Sequence, residues 1–153
     1  MSATESSPSR LAPHELAAWR GLLEVHARVT QQLDAEMRAA HGLSVSAYEV
    51  LMFLADAPDH RMRMSDIADR VLLSRSGCTR LVDRLAEQGY VTRCAASSDG
   101  RGLYAQLTDP GLEKVTAARV THLEGVHRAF LDRLTTTDQI ALGDIWQRLE
   151  GSA

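Results

Sequence analysis

The sequence predicts a mainly α, α+β fold, and three observations carry the prediction. Apolar residues recur at three- and four-residue steps over long stretches at both ends of the chain. Two short stretches of the same period meet at a tight turn in the middle. Directly after them the period switches to two.

The first long stretch runs from about Pro13 to Ala40, with Leu16, Trp19, Leu22, Leu23, His26, Val29, Leu33 and Met37 on its apolar steps. A helix of that length is about 40 Å long, more than a small core needs. Gly42 is the expected stop, because glycine accepts the left-handed backbone that ends helices. A second helix is expected from near Ser46, with Val50, Leu51, Phe53 and Leu54 inward and Pro58 closing it. Residues 61–63 read as a short strand. The segment MSDIADRV is a third, short helix with Ile67, Ala68 and Val71 facing in. A fourth follows at once, from Ser74 as N-cap to Gly89 as C-cap. Then YVTRC and GLYAQLT read as strands, with Val91, Leu103, Ala105 and Leu107 as apolar members, joined by the small polar tip AASSDGR. Thr108 caps a helix expected to reach about Leu134. A capping box from Thr136 to Gln139 opens the last helix, with Ile140, Leu142, Ile145, Trp146 and Leu149.

The fourth helix carries the functional signal. On a helical wheel Cys78, Leu81, Val82 and Leu85 form a stripe about 100° wide, while Arg75, Ser76, Thr79, Arg80, Asp83 and Arg84 occupy the rest. Such a face is commonly just solvated. It also suits phosphates and base edges, because arginine offers a planar fork of donors and short hydroxyls reach a backbone without bulk. The order around it decides between the two. Helix, tight turn, helix and two-stranded hairpin make a winged helix-turn-helix, in which the second helix enters the major groove and the first braces it. Ala68 supplies the small residue where the helices cross. Cys78 supplies the inward residue ten positions on, a core thiol rather than a reactive one.

Charge distribution agrees. The whole chain carries a net −3, but residues 61–101 hold eight arginines against five acids, a net +3, and the remainder carries −6. A basic middle between acidic flanks directs a polyanion to one part of the molecule.

The segment MSDIADRVLLSRSGCTRLVDRLAEQGYVTRCAASSDGRGLYAQLTDPG resembles the winged-helix segment of the MarR family of transcriptional regulators. The Ser-Arg-Ser-Gly-x-Thr-Arg-Leu-Val-Asp-Arg-Leu run matches, as do Gly-Tyr-Val-x-Arg, Asp-x-Arg-Gly at the wing tip and the following Leu-Thr-x-x-Gly. A weaker match extends through the long first helix, GLSVSAYEVLMFL and the closing LTTTDQIALGDIWQRLEG. The resemblance implies a homodimer joined by its N- and C-terminal helices. It implies a palindromic operator in double-stranded DNA, and repression relieved by a small, often aromatic or anionic, effector. Ser74, Arg75, Ser76, Thr79 and Arg80 match the family's recognition-helix positions. Arg101 matches the wing arginine that enters the minor groove, and Asp99 the acid that orients it. A guanidinium there suits the negative potential of a narrow groove. Arg84, toward the helix end, suits a phosphate contact or a structural ion pair. Leu72 departs from the small residue common at the helix–helix turn; if that turn requires positive φ, leucine there is strained.

The dimer is also argued from the residues. The first and last helices hold more apolar positions than a three-helix core absorbs, Trp19 and Trp146 among them, which suggests an intersubunit bundle. The organisation expected is a disordered leader over 1–12, an N-terminal dimerisation helix over 13–45, a DNA-binding lobe over 46–108 and C-terminal dimerisation helices over 109–153. Trp19, His26 and Tyr48 are candidates for an effector pocket between the helices and the lobe.

Other classes find little support. No apolar run approaches a membrane span, no secretory signal is present, and a cytoplasmic location is expected. Cys78 and Cys94 give no disulfide framework. His122 and His127 are five apart, off the four-residue spacing that shares a helix face, and no metal or other cofactor is expected. There is no zinc-protease motif, nucleophile elbow or phosphate loop, so no catalytic residue is assigned. A constitutive DNA-architectural protein without an effector remains an alternative, as does a redox- or metal-responsive regulator.

Overall fold

The computed structural model describes residues 10–95 and 102–151. Six helices and three short strands follow in order. Helix α1 spans Pro13–His41 and α2 Val45–Asp56; a 3-10 turn, Pro58–His60, leads to β1, Arg61–Arg63. Helices α3, Met64–Arg70, and α4, Arg75–Glu87, come next. Strands β2, Val91–Ala95, and β3, Leu103–Leu107, precede α5, Asp109–Ala129, a second 3-10 turn at Leu131–Arg133, and α6, Thr136–Glu150.

Each boundary has a local cause. Pro13 opens α1, and the Glu15 carboxylate accepts from the Ala12 N–H at 2.7 Å; Gly42, at φ +67°, ends it. Helix α2 starts one residue before the position expected from sequence, because Ser44 rather than Ser46 caps it, its hydroxyl accepting from Ala47 N–H at 3.0 Å. Thr108 caps α5 through Gly111 N–H at 3.1 Å. That helix stops at Ala129, short of Leu134, because Phe130 leaves helical geometry at φ −137°, ψ −65°. The α6 capping box is likewise one residue earlier than expected: Thr135 and Asp138 form it, not Thr136 and Gln139.

The sheet is antiparallel with order β1-β3-β2. Its inner face contributes Met62, Val91, Ala105 and Leu107 to a core shared with Tyr48, Val50, Leu51 and Leu54 of α2, Ile67 and Ala68 of α3, and Cys78, Val82 and Leu85 of α4. Full burial of each large aliphatic side chain stabilises the lobe by about 1.5–3 kcal/mol. Leu103, an apolar member of the same alternation, is half exposed at the end of β3 that pairs with Ala95.

Helices α1 and α6 behave differently. Of α1 only Leu33 and Met37 are buried, where α1 meets the lobe and α5. Leu16, Trp19, Leu22, Leu23 and Val25 stand exposed on the same helix, and α6 buries nothing, leaving Ile140, Trp146 and Leu149 open. No helix among the described residues is long and apolar enough to cross a membrane.

Two backbone positions bear on the geometry of the lobe. Gly111 lies so close to the hairpin root that a Cβ there would fall on the Tyr90 carbonyl oxygen and 2.7 Å from Leu107 Cδ1. Thr108 fixes the same junction, its N–H donating to Tyr90 O at 3.1 Å and its hydroxyl to Gly89 O at 2.6 Å. Leu72, in the turn between α3 and α4, has φ +54° and is 90% exposed. The strain anticipated for leucine at that turn is therefore present, and the side chain gains no packing in compensation. A β-carbon in this region costs about 1–2 kcal/mol, part of which glycine's greater unfolded-state entropy offsets. Leu72→Gly is expected to stabilise the chain by about 0.5–1 kcal/mol, read as an increased urea midpoint at unchanged slope.

Candidate nucleic-acid interface

Helix α4 is held by its apolar stripe. Cys78, Leu81, Val82 and Leu85 are all buried, as the periodicity requires. The Cys78 Sγ lies 3.8 Å from Met64 O at the start of α3. Burial pushes its thiol pKa up, with the Arg93 guanidinium opposing, so the thiol stays protonated at neutral pH. Ala68, 3% exposed, allows α3 to cross closely. The turn between them closes through Leu73 N–H to Ala68 O at 3.2 Å.

The opposite face of α4 is open. Ser74, Arg75, Ser76, Arg80 and Arg84 are exposed and Thr79 is half-buried. Their commitments differ. The Ser74 hydroxyl accepts from Gly77 N–H at 3.1 Å and lies 3.3 Å from the Ser76 hydroxyl, so Ser74 first of all starts the helix. The Thr79 hydroxyl donates to Arg75 O at 3.0 Å, which leaves its lone pairs and methyl facing outward. Among the described residues, Arg75, Arg80 and Arg84 form no ion pair and no side-chain hydrogen bond. Among the described residues, three cations on the polar side of the helix thus hold no counter-charge, and their donors are available to a polyanion.

The lobe holds further arginines that sequence reasoning did not single out. Arg93 on β2 reaches Asp83 on α4 at 2.6 Å. Arg61 and Arg63 on β1 both approach the Tyr104 ring, at 4.2 and 5.3 Å to its centroid, and Arg70 lies 5.5 Å from that of Phe53. These pairings join residues apart in sequence that only the fold brings together. Asp99 and Arg101, expected at the wing tip, lie outside the described residues.

The three residues named for an effector pocket fall in two places. Trp19 and His26 are exposed on α1. Tyr48 is 1% exposed, its ring 4.5 Å from that of His122 on α5. Desolvation holds the His122 pKa below its ordinary value, and its Nδ1 is buried without a hydrogen-bond partner. Nearby along α1 and α5, the His41 ring and the Thr121 hydroxyl are hydrogen-bonded at 2.7 Å. Within one chain, then, Tyr48 belongs to the seam between α2 and α5, apart from the exposed pair. Among the described residues no group of three or more His, Cys, Asp or Glu converges as a metal site.

A three-helix lobe with a strand hairpin, presenting an exposed arginine face on its second crossing helix, is a winged helix-turn-helix. The MarR family model matches residues 41–102, the segment from the end of α1 to the start of β3. The HTH-type transcriptional repressor YetL of Bacillus subtilis (strain 168) is 32% identical over 114 residues, covering 72% of this chain and 68% of that protein. Two solved structures from Streptomyces coelicolor are also similar. Sco3205, a MarR family transcriptional regulator in complex with DNA, superposes with a TM-score of 0.88 at 33% identity, covering 94% of this chain and 90% of that one. AbsC, another MarR family transcriptional regulator, gives 0.82 at 35% identity, covering 94% and 99%. The chain belongs to the MarR family.

Proposed function

We propose that this protein is a homodimeric, sequence-specific DNA-binding transcriptional regulator. It acts as a repressor at an inverted-repeat operator and is released by a small-molecule effector. The observation that carries the reading is the exposed Arg75–Arg80–Arg84 face of α4, unpaired among the described residues, on a helix whose other side is fixed by Cys78, Leu81, Val82 and Leu85. The relatives fit it: YetL is named a repressor, and Sco3205 was solved with DNA. Arg75 and Arg80 contact base edges or phosphates of the major groove, with Ser74, Ser76 and Thr79 contributing hydroxyl contacts. Arg84 holds a phosphate, and Arg101, oriented by Asp99, enters the adjacent minor groove. The exposed apolar residues of α1 and α6 form the subunit interface, so the helices over 13–45 and 109–153 dimerise and residues 46–108 bind DNA. The effector lies between those parts, beside the exposed Trp19 and His26; Tyr48, buried against His122, joins the site only where α2 and α5 part. The protein works in the cytoplasm and is not an enzyme, since its functional face is a binding surface without a nucleophile–base pair.

Selection of bound DNA from a random pool tests the reading. Two inverted half-sites about one helical turn apart, near 34 Å, are expected, and affinity for the selected site should fall log-linearly with salt as counterions leave the phosphates. A pool that shows no enrichment, or an affinity insensitive to salt, overturns it.

A further inference from the structure

Strand alternation puts Arg93 in an unusual place. It pairs across the sheet with Ala105, which is fully buried, and sits two residues from Val91, 2% exposed. Its side chain nevertheless stays partly open at the edge of the sheet, where it meets Asp83 of α4, with Nη1 to Oδ1 at 2.6 Å and the two side chains 30% and 46% exposed. Asp83 has closer cations in sequence, Arg80 and Arg84, which lie on its own helix and are free among the described residues. It pairs with neither. Its carboxylate spans instead from the recognition helix to the hairpin.

We propose that the Asp83–Arg93 pair is a positioning clamp: it fixes the angle of the β2–β3 hairpin relative to α4, so that the two elements engage neighbouring parts of one half-site together. This rests on the reading of the protein as a DNA-binding regulator. The clamp has two effects. It neutralises an acid of α4 that would otherwise repel phosphate. It also ties the hairpin to α4 by a charge-assisted bond of defined direction, where apolar packing alone permits rocking. Neither residue need touch DNA. Their role is to hold Arg75 and Arg80 on one element in register with the hairpin on the other.

The test uses the full-length protein with Asp83→Asn, Arg93→Gln, Arg93→Lys and the charge-swapped double variant Asp83→Arg/Arg93→Asp. Each is carried through DNA selection and binding, with urea unfolding alongside. Wild-type enrichment establishes the regulator reading separately; if wild type enriches nothing, that reading fails before the clamp is in question. With wild type binding, Asp83→Asn and Arg93→Gln should each weaken the selected site about tenfold, ~1.4 kcal/mol. The loss should fall on the bases outside the central positions read by α4, whose preference persists. Arg93→Lys and the charge swap should recover most of the affinity and the lost outer preference. Variants that bind as wild type does, or that lose preference evenly at every position in proportion to a lowered urea midpoint, would overturn the clamp and leave an ordinary surface ion pair.

Discussion

Arg80→Ala is expected to weaken operator binding by about 1–3 kcal/mol and to relax preference at one position of each half-site. Arg84→Ala is expected to lower affinity evenly across sequences and to reduce the salt slope by about one. The contrast follows from position. Arg80 lies in the first half of α4, where the helix is expected to approach the groove floor, while Arg84 lies a turn further toward the end. Both are exposed, so neither substitution removes core packing, and the unfolding free energy from urea titration should stay within about 0.5 kcal/mol of wild type. Titration of selected DNA at fixed salt, with single-base variants, gives the measurement. Equal binding of wild type and Arg80→Ala would remove α4 from base reading.

The second large effect is on assembly. Leu23→Asp/Leu149→Asp places a carboxylate on α1 and on α6, at side chains 49% and 64% exposed in the single chain. The double variant is expected to run as a folded monomer in light scattering at micromolar concentration. Its apparent affinity for the full operator should drop at least ~100-fold, because linking two lobes raises binding by about 10²–10⁴ without new contacts. Single half-site binding by one lobe should survive, since Tyr48, Ile67, Val82 and the rest of the lobe core are untouched. A dimer that persists in the double variant would put the interface elsewhere.

The sequence made α4 legible because its information is local. Residues three and four apart decide which side is apolar, and the burial of Cys78, Leu81, Val82 and Leu85 follows that spacing. The turn at Leu72 was legible only through the family resemblance, where leucine stands in place of a small residue; its φ of +54° comes from the structure. Two neighbouring choices were degenerate. Thr135 and Thr136 are each followed three residues later by an acceptor, Asp138 and Gln139, and only the structure selects the first pair. Gln139 turns back to donate to Leu131 and Leu134 carbonyls, at 3.3 and 3.4 Å. Long α1 shows the limit of periodicity: one continuous stripe contains both core residues, Leu33 and Met37, and open ones such as Trp19 and Leu23. The pattern marks the side of a helix and not what covers it. Arg93, Arg61 and Tyr104 were invisible as partners because strand register and helix crossing, fixed by the whole lobe, bring them together.

The seat of Gly111 bears on how a signal would travel. With Thr108 bonded to both Gly89 and Tyr90, and no room for even a methyl group between α5 and the hairpin root, that joint has no slack. Helix α5 has 21 residues and is therefore a rod of about 30 Å. Pivoting it by 5° about its far end would sweep the joint through about 3 Å, more than half the distance between neighbouring strands. A small rearrangement among the terminal helices thus reaches the wing as a stroke of useful size, with the helix as its lever arm.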